Sequence, residues 1–293
     1  MGIVLGANSY GKAENRLVRV YRGTPRHEIR DLSVSTSLRG DFDAAHVSGD
    51  QANVLPTDTQ KNTVYAFARE YGVGQIEDFA LTLGRHFVGE IEPVHGARIE
   101  VDEYAWDRIE VDARGHDHSF LRRGQEVRTT MVTVERDGRA SVVSGLKDLT
   151  LLKTTGSEFR GFLADRYTTL EETRDRIMAT SLVARWRYRT AEADWAESSA
   201  GVRSILLATF ATTHSLALQQ TLWEMGRGVL EQHPEVAEVR LSAPNKHHFV
   251  VDLSPFGLEN PNEVFHAADR PYGLIQASVL RDDTPAADVA WDG

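Results

Sequence analysis

The sequence predicts an α+β fold with antiparallel sheets, made of two ββααββ units in tandem. Strand-like runs occur in adjacent pairs, two helical segments lie between the pairs, and this order occurs twice in 293 residues. The units are predicted at residues 1–138 and 139–293, with a disordered tail rich in Asp, Ala and Pro at about 282–293. Two helices cover only one face of such a sheet, so the uncovered face and edges predict an oligomer.

Individual elements follow from hydrophobic spacing and turn residues. In the first unit, strands are predicted at Leu17–Tyr21, His27–Leu38, Ala97–Trp106 and Val127–Arg136, with helices at Asp58–Tyr71 and Ile76–Val88 and a polar loop at Asp41–Asn53. In the second unit, strands are predicted at Ala140–Thr154, Leu182–Thr190, Val236–Leu241, His248–Leu253 and Gly273–Arg281, with helices at Asp194–Thr212 and Ser215–Gln232.

Composition excludes several functional classes. The net charge is −10, from 33 basic and 43 acidic residues, which disfavours nucleic acid as a partner. The chain has no cysteine, so disulfides, thiolate zinc sites and iron–sulfur clusters are excluded. No window approaches the roughly 18 apolar residues of a membrane span, and the start of the chain lacks a signal-peptide pattern. A cytoplasmic protein with no membrane partner is therefore expected.

Two segments combine groups that suit a flat anion. Thr57 and Asp58 begin a predicted helix, where they can cap it or where free amides can bind an anion. Phe159 can stack on a planar molecule and Arg176 can form two parallel hydrogen bonds with it. Each also has an ordinary interpretation, since Phe159 fits a core position and Arg176 lies among acidic residues that it can pair with at the surface.

Four further residues, in three other parts of the chain, add groups that can bind the molecule or move protons. The amide of Gln219, on the last long helix, offers a donor and an acceptor, although a solvated glutamine is the commoner case. Asn245 follows a proline, as in many turns, and His247 titrates near neutrality. Lys12 supplies an amine that can complete a proton relay with a hydroxyl and an imidazole, or it is a simple surface charge.

Two other patterns carry little weight. His116 and His118 lie two residues apart, a spacing that puts both imidazoles on one face of a strand and resembles half of a metal site, but no further ligand cluster accompanies them. Gly72-Val73-Gly74 lacks the third glycine and the βαβ context of a dinucleotide site. No metal or cofactor is therefore expected.

Seven separated segments together resemble motifs of the urate oxidase (uricase) family. They are Tyr10-Gly11-Lys12, Thr57 to Thr63, His116 to Phe120, Leu152 to Phe159, Asp165 to Leu170, Asp175-Arg176-Ile177 and Pro244-Asn245-Lys246-His247. The resemblance extends over roughly Val4 to Leu280. It implies a tandem tunnelling fold in which two chains form a barrel and two barrels stack into a homotetramer.

The resemblance also implies a reaction. Urate, O2 and water would give 5-hydroxyisourate and H2O2, without metal or organic cofactor. Position by position, Arg176 and Gln219 would clamp the urate edge, Phe159 would stack on the ring and the Leu218 amide would add a contact. Asn245 would hold O2 or water above the ring.

The remaining roles implied by the resemblance involve a second chain. The backbone of Thr57 and Asp58 from a neighbouring chain would meet the opposite edge of urate, and Lys12, Thr57 and His247 would form the proton relay. Many relatives have valine where Leu218 stands, which matters little because only its backbone acts. The chain ends Ala290-Trp291-Asp292-Gly293 and not in the peroxisomal Ser-Lys-Leu of many eukaryotic relatives, so a bacterial cytoplasmic enzyme is expected.

Two alternatives stay open from the residues. A metal-dependent tunnelling-fold hydrolase of a purine or pterin would need a ligand set or a catalytic glutamate in the pocket. A purine-binding protein without catalysis would need Arg176 and Gln219 but neither Lys12 nor His247.

Overall fold

The computed structural model describes residues 2–284 and 286–291. Up to Glu135 the elements are β1 (Tyr10–Tyr21), β2 (Glu28–Gly40), α1 (Asp43–Val47), α2 (Thr57–Glu70), α3 (Ile76–Glu90), β3 (Val94–Val111) and β4 (Arg114–Glu135). After it come β5 (Ala140–Lys153), β6 (Met178–Tyr188), α4 (Trp195–Thr212), α5 (Leu218–Gln232), β7 (Val236–Val250) and β8 (Phe265–Leu280), with short 3-10 helices at Ser254–Phe256 and Asp288–Ala290.

Strand pairing follows the order of the chain. Hydrogen-bonded neighbours run from β1 to β8 in sequence, and β1 with β2, β2 with β3, β3 with β4 and β7 with β8 are antiparallel. β1 with β2 and β3 with β4 are hairpins, in which a few residues reverse the chain, whereas β2 and β3 pair although α1 to α3 lie between them in sequence. The predicted antiparallel α+β class is confirmed.

Several local predictions differ from the structure. β1 begins at Tyr10 and β8 at Phe265, well before the predicted starts at Leu17 and Gly273. A short helix, α1, lies in the region predicted as the polar loop Asp41–Asn53. β3 and β4 extend further than predicted and pair down to Val111 with Arg114. β7 is one strand where two were predicted, because its pairing with β8 continues through Pro244, opposite Leu274, and Asn245, opposite Gly273. Sheet pairing satisfies these backbone groups and so overrides the local turn signal.

The chain groups into two compact units. The first contains Met1–Gly145, Arg187–Ala196 and Pro285–Gly293, and the second contains Leu146–Trp186 and Glu197–Thr284. The sequence predicted a single boundary between residues 138 and 139. In the structure the segment after β6 belongs with the first unit, where the Trp195 indole donates to Asp78 Oδ1 at 2.7 Å.

Each unit has its own apolar core. In the first, Leu32, Val34 and Leu38 alternate along β2 and are fully buried. In the second, α5 lies close to β8, since a Cβ on Gly226 would come within 2.5 Å of Val279 Cγ2. Glycine in a helix costs about 1 kcal/mol relative to alanine, and here it permits this close approach.

Part of the C-terminal segment predicted to be disordered, residues 282–293, has defined structure. Asp288–Ala290 form a 3-10 helix, Arg98 donates to the Val289 carbonyl at 3.1 Å, and Ala290 is buried. Tertiary contacts that composition does not reveal hold this segment in the first unit. Residues 285, 292 and 293 lie outside the described residues. Within the part of the chain that the structure describes, no helix is long and apolar enough to cross a membrane.

Candidate active site

The N-terminus of α2 is open for binding. The helix begins at Thr57, Pro56 occupies the cap position, and none of the described side chains caps the helix. The Gln60 amide bonds to Pro56 O at 3.1 Å and closes the first turn. The amides before Gln60 therefore lack intrahelical partners at the positive end of the helix dipole. Thr57 was predicted either to cap the helix with its side chain or to begin a helix end whose free amides bind an anion. The structure shows no side-chain cap among the described residues.

Asp58 is exposed beside this helix end. Its carboxylate pairs with Lys61 and accepts a hydrogen bond from Asn62 Nδ2 at 3.2 Å. The hydrogen bond and charge of Lys61 lower the pKa of Asp58, and the charge of Lys12 acts weakly in the same direction. The side chain of Asp58 is thus engaged locally, so only its backbone amide remains for an anion.

Lys12 is tied to the first turn of α2 through its backbone. Its amide donates to Thr36 Oγ1 at 3.2 Å, and Thr36 Oγ1 donates to Gln60 Oε1 at 2.7 Å. Gln60 is fully buried. A Cβ on Gly11 would lie 1.7 Å from Thr36 O, so only glycine fits before Lys12. This close pairing of β1 and β2 explains the Tyr10-Gly11-Lys12 motif in physical terms.

Arg176 and Phe159 lie together in the second unit. The Arg176 guanidinium carbon is 5.1 Å from the centroid of the Phe159 ring. The Arg176 amide donates to Ser157 O at 3.0 Å and its Nε to Ser157 Oγ at 3.4 Å. Phe159 and Thr173 exchange amide-to-carbonyl hydrogen bonds of 2.9 Å. Among the described residues Arg176 makes no ion pair with the acidic residues near it in sequence.

Burial changes the electrostatics of Arg176. Partial removal from water lowers the pKa of its guanidinium, although the group stays protonated in proteins. A cation that has already lost part of its hydration gains more from an anionic ligand than a fully solvated one. The surface ion-pair interpretation of Arg176 is therefore wrong, and the anion-binding interpretation fits its surroundings.

The N-terminus of α5 is fastened to the Phe159 segment. Ser157 and Ser215 form a parallel bridge, with Ser215 N to Gly156 O at 2.9 Å and Glu158 N to Ser215 O at 2.7 Å. α5 begins three residues later at Leu218, again with no side-chain cap.

Leu218 and Gln219 start this helix in different environments. The Leu218 side chain is 3% exposed while its amide lies in the uncapped first turn. Gln219 is exposed. A buried anchor followed by an exposed amide side chain presents one backbone donor and one adaptable side chain at the same helix end.

Asn245 and His247 lie on β7. Asn245 is opposite Gly273 and His247 is opposite Ala268, with an irregularity in register between them. Burial lowers the pKa of His247, and the positive charges of Arg176 and His248 lower it further. His247 therefore stays neutral to lower pH than an ordinary histidine.

The predicted site residues fall into two groups. Lys12, Thr57 and Asp58 belong to the first unit. The other six belong to the second unit: Phe159 and Arg176 between β5 and β6, Leu218 and Gln219 at the start of α5, and Asn245 and His247 on β7. Each group combines a positive side chain with an open helix N-terminus, which suits an anion.

Sequence reasoning missed the buried hydroxyls behind the second group. Ser157, Ser215 and Thr221 are all fully buried, and Thr221 Oγ1 donates to Ser215 Oγ at 2.8 Å. Ser157 lies within one of the recognised motifs, but Ser215 and Thr221 follow no helical or strand spacing because a turn lies between them. No local signal could have found this contact.

His116 and His118 contact each other with ring centroids 4.5 Å apart, and the His118 amide donates to His116 Nδ1 at 3.4 Å. Over residues 2–284 and 286–291, no three His, Cys, Asp or Glu side chains are arranged to hold a metal ion.

Comparison with known proteins gives consistent results. The sequence profile of the family described as Uricase matches residues 8–133 and 142–276. The uricase of Arthrobacter globiformis is 56% identical over 289 residues, covering 99% of this chain and 94% of its own. The uricase of Dictyostelium discoideum is 38% identical, covering 94% and 96% respectively.

Solved structures agree. The crystal structure of the Arthrobacter globiformis uricase matches with a TM-score of 0.96 at 55% identity, over 100% of both chains. That of a uricase from Bacillus fastidious matches with a TM-score of 0.83 at 26% identity, over 96% of each chain.

A partly desolvated guanidinium beside an aromatic ring and a helix N-terminus without a side-chain cap, on an antiparallel α+β fold, suits a protein of the class that binds flat anions. Within that class, the family profile and the relatives are specific. The chain belongs to the uricase family. This confirms the predicted activity, the oxidation of urate, and the predicted enzyme class, an oxidoreductase. The cytoplasmic location stays a prediction.

Proposed function

We propose that the chain oxidises urate with O2 and water to 5-hydroxyisourate and H2O2 without a metal or organic cofactor. The observation that carries the proposal is the pairing of Arg176 with Phe159 at 5.1 Å beside the uncapped start of α5. Urate is electron-rich as an anion, so the protein has to deprotonate it, orient it and shield the position of O2. Positioned side chains can supply all three.

In this proposal Arg176 and Gln219 clamp one edge of urate. The planar fork of Arg176 matches two adjacent acceptors, and the Gln219 amide matches an alternating donor and acceptor edge. Phe159 stacks on the ring, and the Leu218 amide adds a hydrogen bond at the helix end. The bond from Arg176 to Ser157, and the bonds from Ser215, just before α5, to both neighbours of Ser157, support a rigid clamp.

Protons move through Lys12, Thr57 and His247, and Asn245 holds O2 or water above the ring. A neutral His247 can accept a proton, and burial together with the nearby charge of Arg176 favours the neutral form. The Lys12 ammonium stabilises negative charge that develops on the Thr57 hydroxyl when it gives up its proton. The Thr57 and Asp58 backbone amides bind the opposite edge of urate, supported by the uncapped start of α2.

We also propose the finer fold and assembly: two tandem tunnelling-fold units per chain, two chains per barrel, and two barrels per homotetramer. β1 and β8 end the strand order, so each leaves a row of unpaired backbone groups. Large apolar side chains are exposed on both strands, including Val18 at 55% and Leu274 at 55%. Closure with a second chain would satisfy both, and would bring Lys12, Thr57 and Asp58 of one chain to the clamp of another.

The test is oxidation by metal-free protein. Purified protein is dialysed against EDTA and then against metal-free buffer, and urate loss, O2 consumption and H2O2 formation are measured under air. We expect one O2 consumed and one H2O2 formed per urate, at the rate of undialysed protein. Activity that disappears on chelation and returns with a divalent metal would overturn the cofactor-free proposal. Urate binding without O2 consumption would leave only a binding protein.

A further inference from the structure

Two buried hydroxyl groups and a backbone bridge connect the two arms of the clamp, Gln219 at the start of α5 and Arg176. Thr221, in the first turn of α5, donates through Oγ1 to Ser215 Oγ at 2.8 Å. The Ser215 hydroxyl in turn faces Met178 Sδ at 3.6 Å, which can accept only weakly. Thr221, Ser215 and Met178 are all fully buried. An unsatisfied hydroxyl in such a place costs about 1–3 kcal/mol, so this pair of hydroxyls is strongly constrained.

Ser215 joins this pair to the other arm. Its backbone bonds to both neighbours of Ser157, with Ser215 N to Gly156 O at 2.9 Å and Glu158 N to Ser215 O at 2.7 Å. Ser157 in turn accepts from the backbone amide and the Nε of Arg176. A continuous path of hydrogen bonds therefore runs from the start of α5 to the guanidinium, and its last and longest bond is the 3.4 Å one from Arg176 Nε.

We propose that Thr221 and Ser215 are positioning residues that set the spacing between Arg176 and Gln219, an inference that rests on the proposed clamp. Gln219 lies two residues before Thr221 on the same helical turn. If the Thr221 hydroxyl is lost, α5 loses its side-chain bond to Ser215, and only the backbone bonds of Ser215 still connect the helix start to the Ser157 segment. A displacement of about 1 Å in a binding constellation can cost as much as a hundredfold in rate.

The decisive variants differ by one hydroxyl. Thr221→Val keeps the shape and removes the donor, whereas Thr221→Ser keeps the donor. Thr180→Val is the matched control, because Thr180 in the same unit is 1% exposed and its hydroxyl makes no hydrogen bond with any residue that the structure describes. It deletes a buried hydroxyl without touching the chain of contacts, so it measures packing alone.

The clamp grips urate before and during the reaction, so its misalignment acts on binding. We expect Thr221→Val to raise KM for urate about tenfold or more and to lower kcat less. The dissociation constant of urate under argon should rise by the same factor. Thr221→Ser and Thr180→Val should stay within about twofold of the unmodified protein in all three quantities. In protein that already carries Arg176→Ala, adding Thr221→Val should raise KM for urate by at most about twofold. The distance between Arg176 and Gln219 no longer matters once the Arg176 side chain is gone.

Ser215→Ala provides the second test, and it decides the question if Thr221→Val does not fold. It removes the nearer acceptor of the Thr221 hydroxyl and leaves only the Ala217 carbonyl at 3.5 Å, within the same helix, so it should give the same rise in KM. A folded Thr221→Val or Ser215→Ala protein whose KM and urate affinity equal those of Thr180→Val would overturn the inference. If the unmodified protein bound urate under argon but did not oxidise it, the proposed function would fail, while the affinities of the variants would still decide the positioning role.

Discussion

Replacing Arg176 by alanine separates the substrate clamp from the scaffold. The guanidinium is partly desolvated and lies 5.1 Å from the Phe159 ring, where it would face the urate anion. Removing one member of a desolvated charge pair costs about 2–5 kcal/mol. Arg176 is only partly buried, so we expect the lower half of that range, about 2–3 kcal/mol. This corresponds to a fall of about 30- to 160-fold in kcat/KM.

Stability should change far less. The distance from Arg176 Nε to Ser157 Oγ is 3.4 Å, which is long for a hydrogen bond. A cation–π contact at an exposed site contributes about 0.5–1 kcal/mol to stability. Arg176→Ala should therefore lower the free energy of unfolding by about 1 kcal/mol or less. Arg176→Lys keeps the charge but lacks the planar fork, so it should remain at least about tenfold below the unmodified protein.

The assay follows urate absorbance and O2 consumption over a range of urate concentrations, with urea unfolding measured on the same preparations. Arg174→Ala is the control, because Arg174 is an exposed arginine two residues away, and it should change neither quantity. If both Arg176 variants kept kcat/KM within threefold of the unmodified protein, Arg176 would have no role in the clamp. A loss of activity matched by an equal loss of stability would point to folding instead.

Three further outcomes are expected. Coexpressed Lys12→Ala and Arg176→Ala chains should recover activity far above either variant alone, up to about one intact site in four if chains pair at random, because the proposed site takes these residues from different chains. The acidic limb of the pH profile of kcat/KM that reports His247 should lie below the ordinary imidazole pKa of about 6.5, because burial and the charge of Arg176 disfavour the imidazolium. In Arg176→Ala, where that charge is gone, the limb should move to higher pH. Gly11→Ala should destabilise the protein by about 1–3 kcal/mol or more in urea unfolding, because its Cβ would lie 1.7 Å from a backbone oxygen of the facing strand. Gly89→Ala, where a Cβ meets nothing within 4 Å, should be neutral or stabilising by up to about 1 kcal/mol.

Each outcome has a control that can contradict it. For complementation, a chain carrying both Lys12→Ala and Arg176→Ala, coexpressed with either single variant, can rebuild no intact site. Mixed oligomers of the single variants that stay as inactive as this control would exclude a shared site. A pH limb that does not move in Arg176→Ala would separate His247 from the clamp. Equal unfolding free energies for Gly11→Ala and Gly89→Ala would mean that β1 can move away from β2.

Much of the fold could be predicted because its signals are local. The helices α2 and α3 begin and end within two residues of the predicted positions, since their apolar residues recur at helical spacing. The single strand β7 could not be predicted, because Pro244-Asn245 is locally a turn signal and only pairing with β8 keeps it extended. The 3-10 helix near the C-terminus depends likewise on Arg98, almost two hundred residues earlier in the chain.

For the site, the sequence by itself determined which chemical groups are present and which family the motifs resemble. Phe159, Arg176 and His247 were identified from residue type and motif order. Only the tertiary structure decided that Arg176 lies against Phe159 rather than pairing with its acidic neighbours, and that burial lowers the pKa of His247.

The same distinction holds for the buried hydroxyl pair of Thr221 and Ser215. Ser215 and Thr221 belong to no recognisable sequence pattern. Only the structure shows that their hydroxyls are fully buried and hydrogen-bonded to each other at 2.8 Å. Helical and strand periodicity reports which face of an element is apolar, because that face repeats along the chain. Hydrogen bonds between segments have no such repeat. They depend on how far one packed element lies from another, and that distance exists only in the folded chain.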